Sequence, residues 1–470
     1  MTRSTCYCFT VLAAPRTGLA AMAVLGANGV VAAAVWAGAE LAVVMGVLLV
    51  PVAVSLTRRP QRGLLVLAAL VPFDGLLLLV PHLPPVAAGW KEALVLATLA
   101  ATFVAPDTAR SARAGPLPGW VPAVGGMLVL GLLSAGAVGG LQAAWGLKIA
   151  FFFVLVAVVV RRCPLDGRER DALVTILMVT GFVTAVYGLA QQMLGTSGLN
   201  ALGYEYNSTI RTTRGLLRSF SSFDNPFAFG YFLMLVVLVG VPHALARPGR
   251  LRSRLFLLAL PVLMLALAGT FVRGAWVGLV VGVAYLGWAR FPRLLLGLPL
   301  ALVGLLLLPS GISSAAFSSS SGAQRVEGWE ANFSEITRQP LGQGLGSSNA
   351  AAEKVAGDDA DREDVYHPDN EYYRAAYELG VLGLWFTVLL FVSTFLSARA
   401  GASDPESEGG LFALAVASTV LAAAAASVVA TYFDTFPNNV YFWLLLGVVA
   451  TEGLSRGERA SPVEAAAARA

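Results

Sequence analysis

The sequence predicts an all-α polytopic membrane protein with about 14 transmembrane helices (12–14) and one large outer loop. The first observation is composition: 57% of the 470 residues are apolar and only 13% are charged, whereas soluble domains are about half apolar and a quarter charged. The second is a mean hydropathy of +0.72. The third is the recurrence of apolar runs near the roughly 20 residues that cross a bilayer as a helix. Together these observations exclude a soluble globular protein and an intrinsically disordered one.

The candidate spans follow one another along the whole chain. Arg3 and Arg16 precede the first apolar run, which favours a first span with its tail held inside over a cleaved signal peptide. We predict spans at 19–37, 38–56, 63–80, 88–104, 120–139, 140–160, 172–194, 225–245, 255–271, 274–289, 294–309, 379–398, 411–432 and 440–455.

The distribution of arginine orients these spans, because cytoplasmic loops retain Lys and Arg. With the N-terminus inside, 21 arginines fall in inner segments and 8 in outer segments. The outer ones are Arg211, Arg214, Arg218, Arg273, Arg325, Arg338, Arg362 and Arg374. We therefore expect a multi-pass protein of the inner (plasma) membrane in three parts: 1–309 with transmembrane helices 1–11 and an outer loop near 195–224, a large extracytoplasmic loop at 310–378, and 379–470 with helices 12–14 and a short cytoplasmic tail.

Arg273 is the clearest anomaly among the outer arginines, because it lies in a connection of only a few residues between two apolar spans. An unpaired guanidinium at that depth costs a few kcal/mol, so an anionic partner is expected. That partner is either an acidic residue such as Glu205 or Asp224, or a phosphate, which arginine binds through two parallel hydrogen bonds. Arg211 and Arg214 fit surface or entry charges, with a direct role as the alternative.

A second polar group lies where the large loop re-enters the membrane, in YHPDNEYYRAAYELGVLGLW (366–385). His367 and Asp369 are the candidate general bases at this membrane surface. The structural alternative is a helix cap, since Asp369 or Asn370 can accept from the first backbone N–H groups of the helix that follows.

Two further stretches have structural explanations that we prefer. RQPLGQGLGSS (338–348) is neither a P-loop nor a dinucleotide fingerprint, so we predict a tight turn instead of a phosphate-binding loop. The acidic run at 358–364 contains Arg362 and is interpreted as a solvated loop, not a metal site. Three cysteines (Cys6, Cys8 and Cys163) are too few for a disulfide framework or a four-ligand metal site.

The inner loops are too short to fold a nucleotide-binding domain, and chemistry on the outer face has no nucleotide-sugar pool to draw on. A transferase on that face needs a donor activated in another way. A lipid diphosphate in the bilayer is the natural candidate, because outer arginines can hold its charge.

Three stretches, in this order, resemble the O-antigen ligase and O-antigen polymerase group of membrane glycosyltransferases. RSFSSFDNPFAFGYFL (218–233) is similar to the family's segment of arginine, phenylalanine and Asn-Pro that enters a helix, although its Asn-Pro-Asn is Asn-Pro-Phe here. GTFVRGAWVGL (269–279) is similar to its Ser-Arg-Gly connection, with valine in place of the serine. The stretch from Arg325 and Trp329 through PLGQGLGS to HPDNEYYRAAYELGVLGL resembles its large outer loop and exit helix.

This resemblance implies a metal-independent, cofactor-free, inverting transfer from an undecaprenyl-diphosphate-linked glycan to a hydroxyl of a glycan or lipid-glycan acceptor, as ligase or polymerase. By position, Arg218 and Arg273 hold the diphosphate and Arg325 marks the start of the loop motif. Arg214 and Asn225 are further candidate substrate-binding residues.

The resemblance also implies a histidine base, but its position differs here. Many relatives carry His-Asn directly before the exit helix, whereas in this chain Asp369 precedes Asn370 and His367 lies two residues upstream. Chemistry favours His367, because an unperturbed imidazole titrates near pH 6.5 and a carboxylate near 3.9 makes a weak base. Position favours Asp369.

The alternative function is a secondary transporter or lipid-linked-sugar flippase. Such proteins place charged residues at mid-membrane, and the predicted spans contain few, chiefly Glu40, Asp74, Glu92 and Lys148. A scaffold is the third hypothesis, and it leaves Arg273 unexplained. Membrane lipids are expected partners and nucleic acid is not.

Overall fold

The computed structural model describes residues 54–80, 88–105, 117–205, 209–213, 215–297, 336–356 and 365–457. Their helices are α1 (Gln61–Leu70), α2 (Trp90–Val104), α3 (Val121–Leu133), α4 (Ala135–Val138), α5 (Gly140–Phe151), α6 (Val154–Arg162), α7 (Gly167–Ala201), α8 (Pro226–Ala246), α9 (Leu251–Gly269), α10 (Arg273–Ala289), α11 (Asn349–Ala356), α12 (Glu371–Gly401), α13 (Glu408–Ala426) and α14 (Asn438–Gly457), with 3-10 helices at Val71–Leu79 and Pro292–Leu296.

Six helical segments in these ranges are long and apolar enough to cross a bilayer: Gln61–Leu79, Gly167–Ala201, Pro226–Ala246, Leu251–Gly269, Glu371–Gly401 and Glu408–Ala426. Helices α5 and α6, bent by 47°, form a seventh if they are one broken span. The helical, multi-pass architecture is therefore confirmed. The count of about 14 spans is not, because α3, α10 and α14 are apolar but short, and 19–37, with most of 38–56 and 294–309, lies outside the described residues.

The predicted large outer loop is also not confirmed as a unit. Of 310–378, the structure describes 336–356 and 365–378. Helix α12, which contains the predicted span 379–398, begins at Glu371, and a break at Gly380 (φ 68°) divides it. Of the two candidate caps, Asn370 is the one that caps its first turn, because its side chain accepts from the N–H groups of Tyr372 and Tyr373 at 2.8 and 3.2 Å.

Helix α8 forms the centre of the bundle. Its sequence is apolar all round, which is typical of a helix surrounded by protein, and 89% of its most apolar window is buried. Small residues on the neighbouring helices allow close approach. A Cβ added at Gly181 of α7 would lie 2.5 Å from Val236, and one at Gly282 of α10 would lie 2.6 Å from Leu238. Helices α7 and α10 therefore pack closely against the middle of α8.

The structure also contains two short strands, which the sequence did not predict. β1 (Arg211–Thr213) and β2 (Leu216–Arg218) form an antiparallel hairpin within the segment predicted as an outer loop. Gly215 (φ 81°) supplies a left-handed residue in the turn. The register places Arg211 directly opposite Arg218.

Candidate active site

Arg218 contacts the connection that leads to Arg273. Its Nε donates to the carbonyl oxygen of Thr270 at 3.1 Å, and its guanidinium lies over the ring of Phe227, 4.9 Å from the ring centroid. The next residue, Ser219, donates its backbone N–H to the carbonyl of Gly269 at 2.9 Å. The hairpin is thus joined, at Arg218, to the connection between α9 and α10 that leads to Arg273.

Two adjacent glutamines near the end of α7 hold the Arg218 segment in place. Gln191 Oε1 accepts from the backbone N–H groups of Phe220 and Ser221 at 3.2 and 2.7 Å, and its Nε2 donates to the Ser221 carbonyl at 2.9 Å. Gln192 Nε2 lies 2.9 Å from the Leu217 carbonyl and 2.8 Å from Ser219 Oγ. Because Gln191 is buried, its bonds are protected from water. The two glutamines together fix the backbone on either side of the arginine.

Arg273 is the first residue of α10, after a strained connection. Phe271 has φ 53°, which is uncommon for a non-glycine residue. Thr270 supports this turn by accepting from the Val272 N–H at 3.1 Å. The N-cap residue Val272 makes no side-chain cap. The first N–H groups of α10 and the positive end of its dipole therefore adjoin Arg273, an arrangement that favours an anion.

Asn225 lies at the start of α8, where its side chain acts as a helix cap. Its Oδ1 accepts from the Ala228 N–H at 2.9 Å and its Nδ2 donates to Asp224 at 2.9 Å. Desolvation by the surrounding protein, and then the nearby negative charge of Asp74, raise the pKa of Asp224, although part of its side chain reaches the surface. The remaining predicted substrate-binding residues, Arg214 and Arg325, lie outside the described residues.

The charged residues predicted within the early spans form ion pairs near helix ends. Lys91 Nζ lies 2.5 Å from Asp74, and Lys148 Nζ lies 2.8 Å from Glu92. Lys91 and Glu92 are in the first turn of α2, and Lys148 is in the last turn of α5. Glu40, the fourth such residue, lies outside the described part of the chain.

The Gly-rich stretch before α11 folds into the predicted tight turn. Three glycines in it have positive φ, at 83°, 106° and 87° for Gly342, Gly344 and Gly346. The N–H groups of Gln343 and Gly344 donate to the carbonyls of Tyr377 and Glu378 at 2.7 and 2.9 Å. The turn therefore packs on the α12 backbone just before its break.

His367 is half-exposed and lies next to α11. Its Nδ1 is 3.3 Å from Asn349 Oδ1, and its Nε2 is 3.7 Å from a carboxylate oxygen of Glu353. Asp369 is exposed and forms no hydrogen bond or ion pair with any described residue. Of the two candidate bases, His367 is therefore the one whose side chain lies beside other polar side chains. The acidic run at 358–364 lies outside the described residues.

A buried arginine with three carboxylates lies behind His367. Arg374 contacts Glu371 at 2.5 Å, Glu378 at 3.3 Å and Asp434 at 3.2 Å. Their other oxygens are also bonded: Glu371 accepts from the Phe433 N–H at 3.1 Å, and Glu378 accepts from a serine hydroxyl in the Gly-rich stretch at 2.7 Å. We call these four residues the Arg374 cluster. With all carboxylates ionised it carries an excess of two negative charges, three against one.

The segment 426–434 lies beside both the start of α10 at Arg273 and the region around His367. A Cβ added at Gly274, next to Arg273, would lie 3.1 Å from Val429 and 3.6 Å from the Ala426 carbonyl. The same segment receives the start of α12, because the Glu371 N–H donates to the Ser427 carbonyl at 2.9 Å. The structure therefore brings Arg218, Arg273 and the start of α12 to one end of the bundle.

Three groups of site residues were not predicted from the sequence: the Arg374 cluster, the glutamine pair and Asn349. The sequence does contain a pattern that indicates the first group, since Glu371, Arg374 and Glu378 are spaced i, i+3 and i+7 and must share a helix face. Gln191 and Gln192 stand out as a polar pair in an apolar run. No local pattern connects Asn349 to position 434, because that contact depends on tertiary structure.

Residues 255–388 match the family model described as O-antigen ligase. This confirms the resemblance to the O-antigen ligase and polymerase group. The matched segment contains Arg273, His367 and three of the four residues of the Arg374 cluster, whereas Arg218 and Asn225 precede it. No curated protein matches the chain.

Proposed function

We propose that this chain, which carries an O-antigen ligase-type segment in a multi-pass helical membrane protein, is a glycosyltransferase that takes a glycan from a polyprenyl-diphosphate-linked donor. The acceptor is a hydroxyl of a glycan or lipid-glycan on the outer face. The family match supports the class of reaction. The observation that carries the site is the hydrogen bond from Arg218 to the Thr270 carbonyl, three residues before Arg273.

The diphosphate binds between Arg218 and Arg273. Arg218 lies directly across the hairpin from Arg211, which places two positively charged residues next to each other. The uncapped start of α10 adds N–H groups and a positive dipole end beside Arg273. All three features favour a bound anion. Guanidinium groups suit a diphosphate because they donate two parallel hydrogen bonds to its oxygens.

The chemical step is a displacement at the anomeric carbon of the donor sugar. His367 Nε2 removes the proton of the acceptor hydroxyl, and the acceptor oxygen forms the new glycosidic bond. The bond from the anomeric carbon to the diphosphate oxygen breaks, and the lipid diphosphate leaves with the electron pair. Arg218 and Arg273 stabilise the charge that develops on it. The imidazolium then releases its proton to solvent, which restores the base. Attack opposite the leaving group inverts the anomeric centre.

Deleting the chromosomal copy and analysing surface glycan tests the function. Accumulated single repeat units indicate a polymerase, and long unattached chains indicate a ligase. In parallel, purified protein is incubated with a polyprenyl-diphosphate-linked glycan and acceptor. Release of polyprenyl diphosphate that depends on Arg273 is the expected result. Vesicles that move the donor between leaflets without cleaving it would favour the flippase alternative.

A further inference from the structure

Asn349 connects His367 to the Arg374 cluster. Its Nδ2 lies 2.7 Å from Asp434 Oδ2, and its Oδ1 lies 3.3 Å from His367 Nδ1. Its backbone N–H also donates to the Tyr366 carbonyl at 3.0 Å. Asn349 has φ 50°, a left-handed conformation that asparagine tolerates better than most residues. Main chain and side chain together therefore hold it against the segment that carries His367.

The chemistry of Asp434 fixes which way the Asn349 amide points. Both Asp434 oxygens are engaged, Oδ1 with Arg374 at 3.2 Å and Oδ2 with Asn349. An ionised carboxylate only accepts hydrogen bonds, so the NH₂ group of Asn349 must face it. The Asn349 carbonyl oxygen is then the atom that faces His367. The amide orientation follows from this hydrogen-bond network and not from the similar shapes of O and NH₂.

The orientation of Asn349 in turn fixes the tautomer of His367. The Asn349 oxygen can only accept, so the Nδ1 of His367 must carry the proton. In the neutral ring the lone pair then lies on Nε2. We propose that Asp434, acting through Asn349, is a positioning residue that holds His367 in the Nδ1–H tautomer and leaves Nε2 as the basic atom. The catalytic consequence rests on the proposed function, whereas the tautomer itself does not.

For the Asp434→Asn variant, the proposal predicts a change at His367 that a general loss of packing would not cause. The new amide must still present its oxygen to Arg374, which has only donors, so its NH₂ group faces Asn349. The Asn349 amide then turns over and points its own NH₂ group at His367 Nδ1. This nitrogen becomes an acceptor, and the proton moves to Nε2. The substitution should therefore invert the tautomer and remove the basic atom from its position.

Ring ¹⁵N chemical shifts measure this directly on the full chain, labelled with ¹⁵N-histidine and placed in lipid nanodiscs. The chain has three histidines, and His367→Gln identifies the signals of the third. We expect a protonated Nδ1 in the wild type and a protonated Nε2 in Asp434→Asn. Turnover should fall at least about tenfold, with the KM for the donor unchanged, because a general base contributes roughly 10²- to 10⁴-fold.

Asn349→Ala is the second variant, since it leaves the Arg374 cluster intact if Asp434→Asn fails to fold. It should yield a mixture of tautomers and a smaller loss of turnover. Glu353→Ala is the matched control, because Glu353 faces the other ring nitrogen beyond hydrogen-bond distance, and it should leave the tautomer unchanged. A protonated Nε2 in the wild type overturns the proposal whatever the protein transfers. Full turnover in Asp434→Asn with an inverted tautomer overturns the positioning role. Loss of transferase activity in every assay, with the tautomers as expected, counts against the proposed function alone.

Discussion

The Nε of Arg218 donates a hydrogen bond to the carbonyl oxygen of Thr270 at 3.1 Å, and Thr270 precedes Arg273 by three residues. Residues separated by more than 50 positions in the chain therefore form one end of the bundle. The contact uses one donor of the Arg218 guanidinium, which has five. In the proposed enzyme the positive charge of this guanidinium also attracts the diphosphate, so the same side chain both fixes the connection and contributes to substrate binding.

Arg273→Lys keeps the charge but loses the bidentate geometry. A hydrogen bond to a charged group contributes about 1.5–3 kcal/mol, so we expect kcat/KM for the lipid-diphosphate donor to fall roughly 10- to 100-fold. Arg273→Ala and Arg218→Ala should lose nearly all activity, and Arg211→Ala should be milder. The measurement is release of polyprenyl diphosphate by purified variants. Arg254→Ala, a change in the first turn of α9 at the opposite end of that helix from Arg273, is the control and should retain activity. Wild-type turnover in Arg273→Ala would show that the diphosphate binds elsewhere.

His367→Ala should abolish transfer and preserve donor binding, because a base acts on the acceptor and does not hold the diphosphate. Asp369→Asn should retain most of the activity, since the Asp369 side chain forms no hydrogen bond or ion pair with a described residue and Asn370, not Asp369, caps α12. Single-turnover rates and donor affinity, measured on the same preparations, separate the two steps. Inactive Asp369→Asn together with active His367→Ala would reverse the assignment of the base.

The fold was predictable to the extent that it depends on runs of apolar residues. Helices occur at most of the predicted spans within the described ranges, because such runs can satisfy their backbone polar groups in lipid only as helices. The predicted span at 379–398 begins eight residues after the start of α12. The first turns of α12 contain Glu371, Arg374 and Glu378, and a hydropathy criterion rejects these charges although they form ion pairs with one another in the interior.

The candidate site was predictable only in part. Arg273 is conspicuous because it interrupts an apolar stretch, and Arg218 was found by resemblance. Other contacts that build the site join residues far apart in the chain: Asp434 is 85 positions from Asn349, and Ser219 is 50 positions from Gly269. Contacts of this kind follow from helix packing, and no local periodicity encodes them.

The predicted topology can be tested by thiol labelling in a background without Cys6, Cys8 and Cys163. Single cysteines at the exposed positions 62, 168 and 250 should be protected from an impermeant reagent in intact cells, because these loops carry the inner arginines. Cysteines at the exposed positions 205 and 355 should be labelled. Permeabilised cells supply the control, in which all five react. Labelling at 250 in intact cells would place the proposed active site on the inner face.

Arg374→Met should strongly destabilise the folded protein, because it leaves two buried carboxylates and the partly buried Asp434 without their cation. Removing one member of a buried ion pair costs about 3–5 kcal/mol. We expect a large fall in the midpoint of thermal unfolding in detergent. Arg399→Met is the matched control, since it makes the same change on the same helix at an exposed position, and its midpoint should stay near that of the wild type. Equal midpoints for the two variants would mean that the Arg374 cluster contributes little to stability.

Gly380→Ala tests whether the break in α12 positions the Gly-rich turn. Gly380 has φ 68° and ψ −166°, a region that essentially only glycine occupies and that costs other residues about 1–3 kcal/mol. An added Cβ would also lie 2.2 Å from the carbonyl oxygen of Pro340, a backbone atom that cannot move without shifting the turn. We therefore expect a lower unfolding midpoint and reduced transfer even at temperatures where the variant is folded.

Gly195→Ala separates backbone strain from this steric contact. Gly195 has nearly the same conformation, φ 65° and ψ −179°, but an added Cβ there meets no atom within 4 Å. It should show only the cost of the strained backbone, and transfer by the folded protein should be close to that of the wild type. The difference between the two midpoints then measures the contact of α12 with the turn at Pro340. If both variants lose the same stability and the same activity, the turn is not held by α12, and the position of Asn349 beside His367 must depend on other contacts.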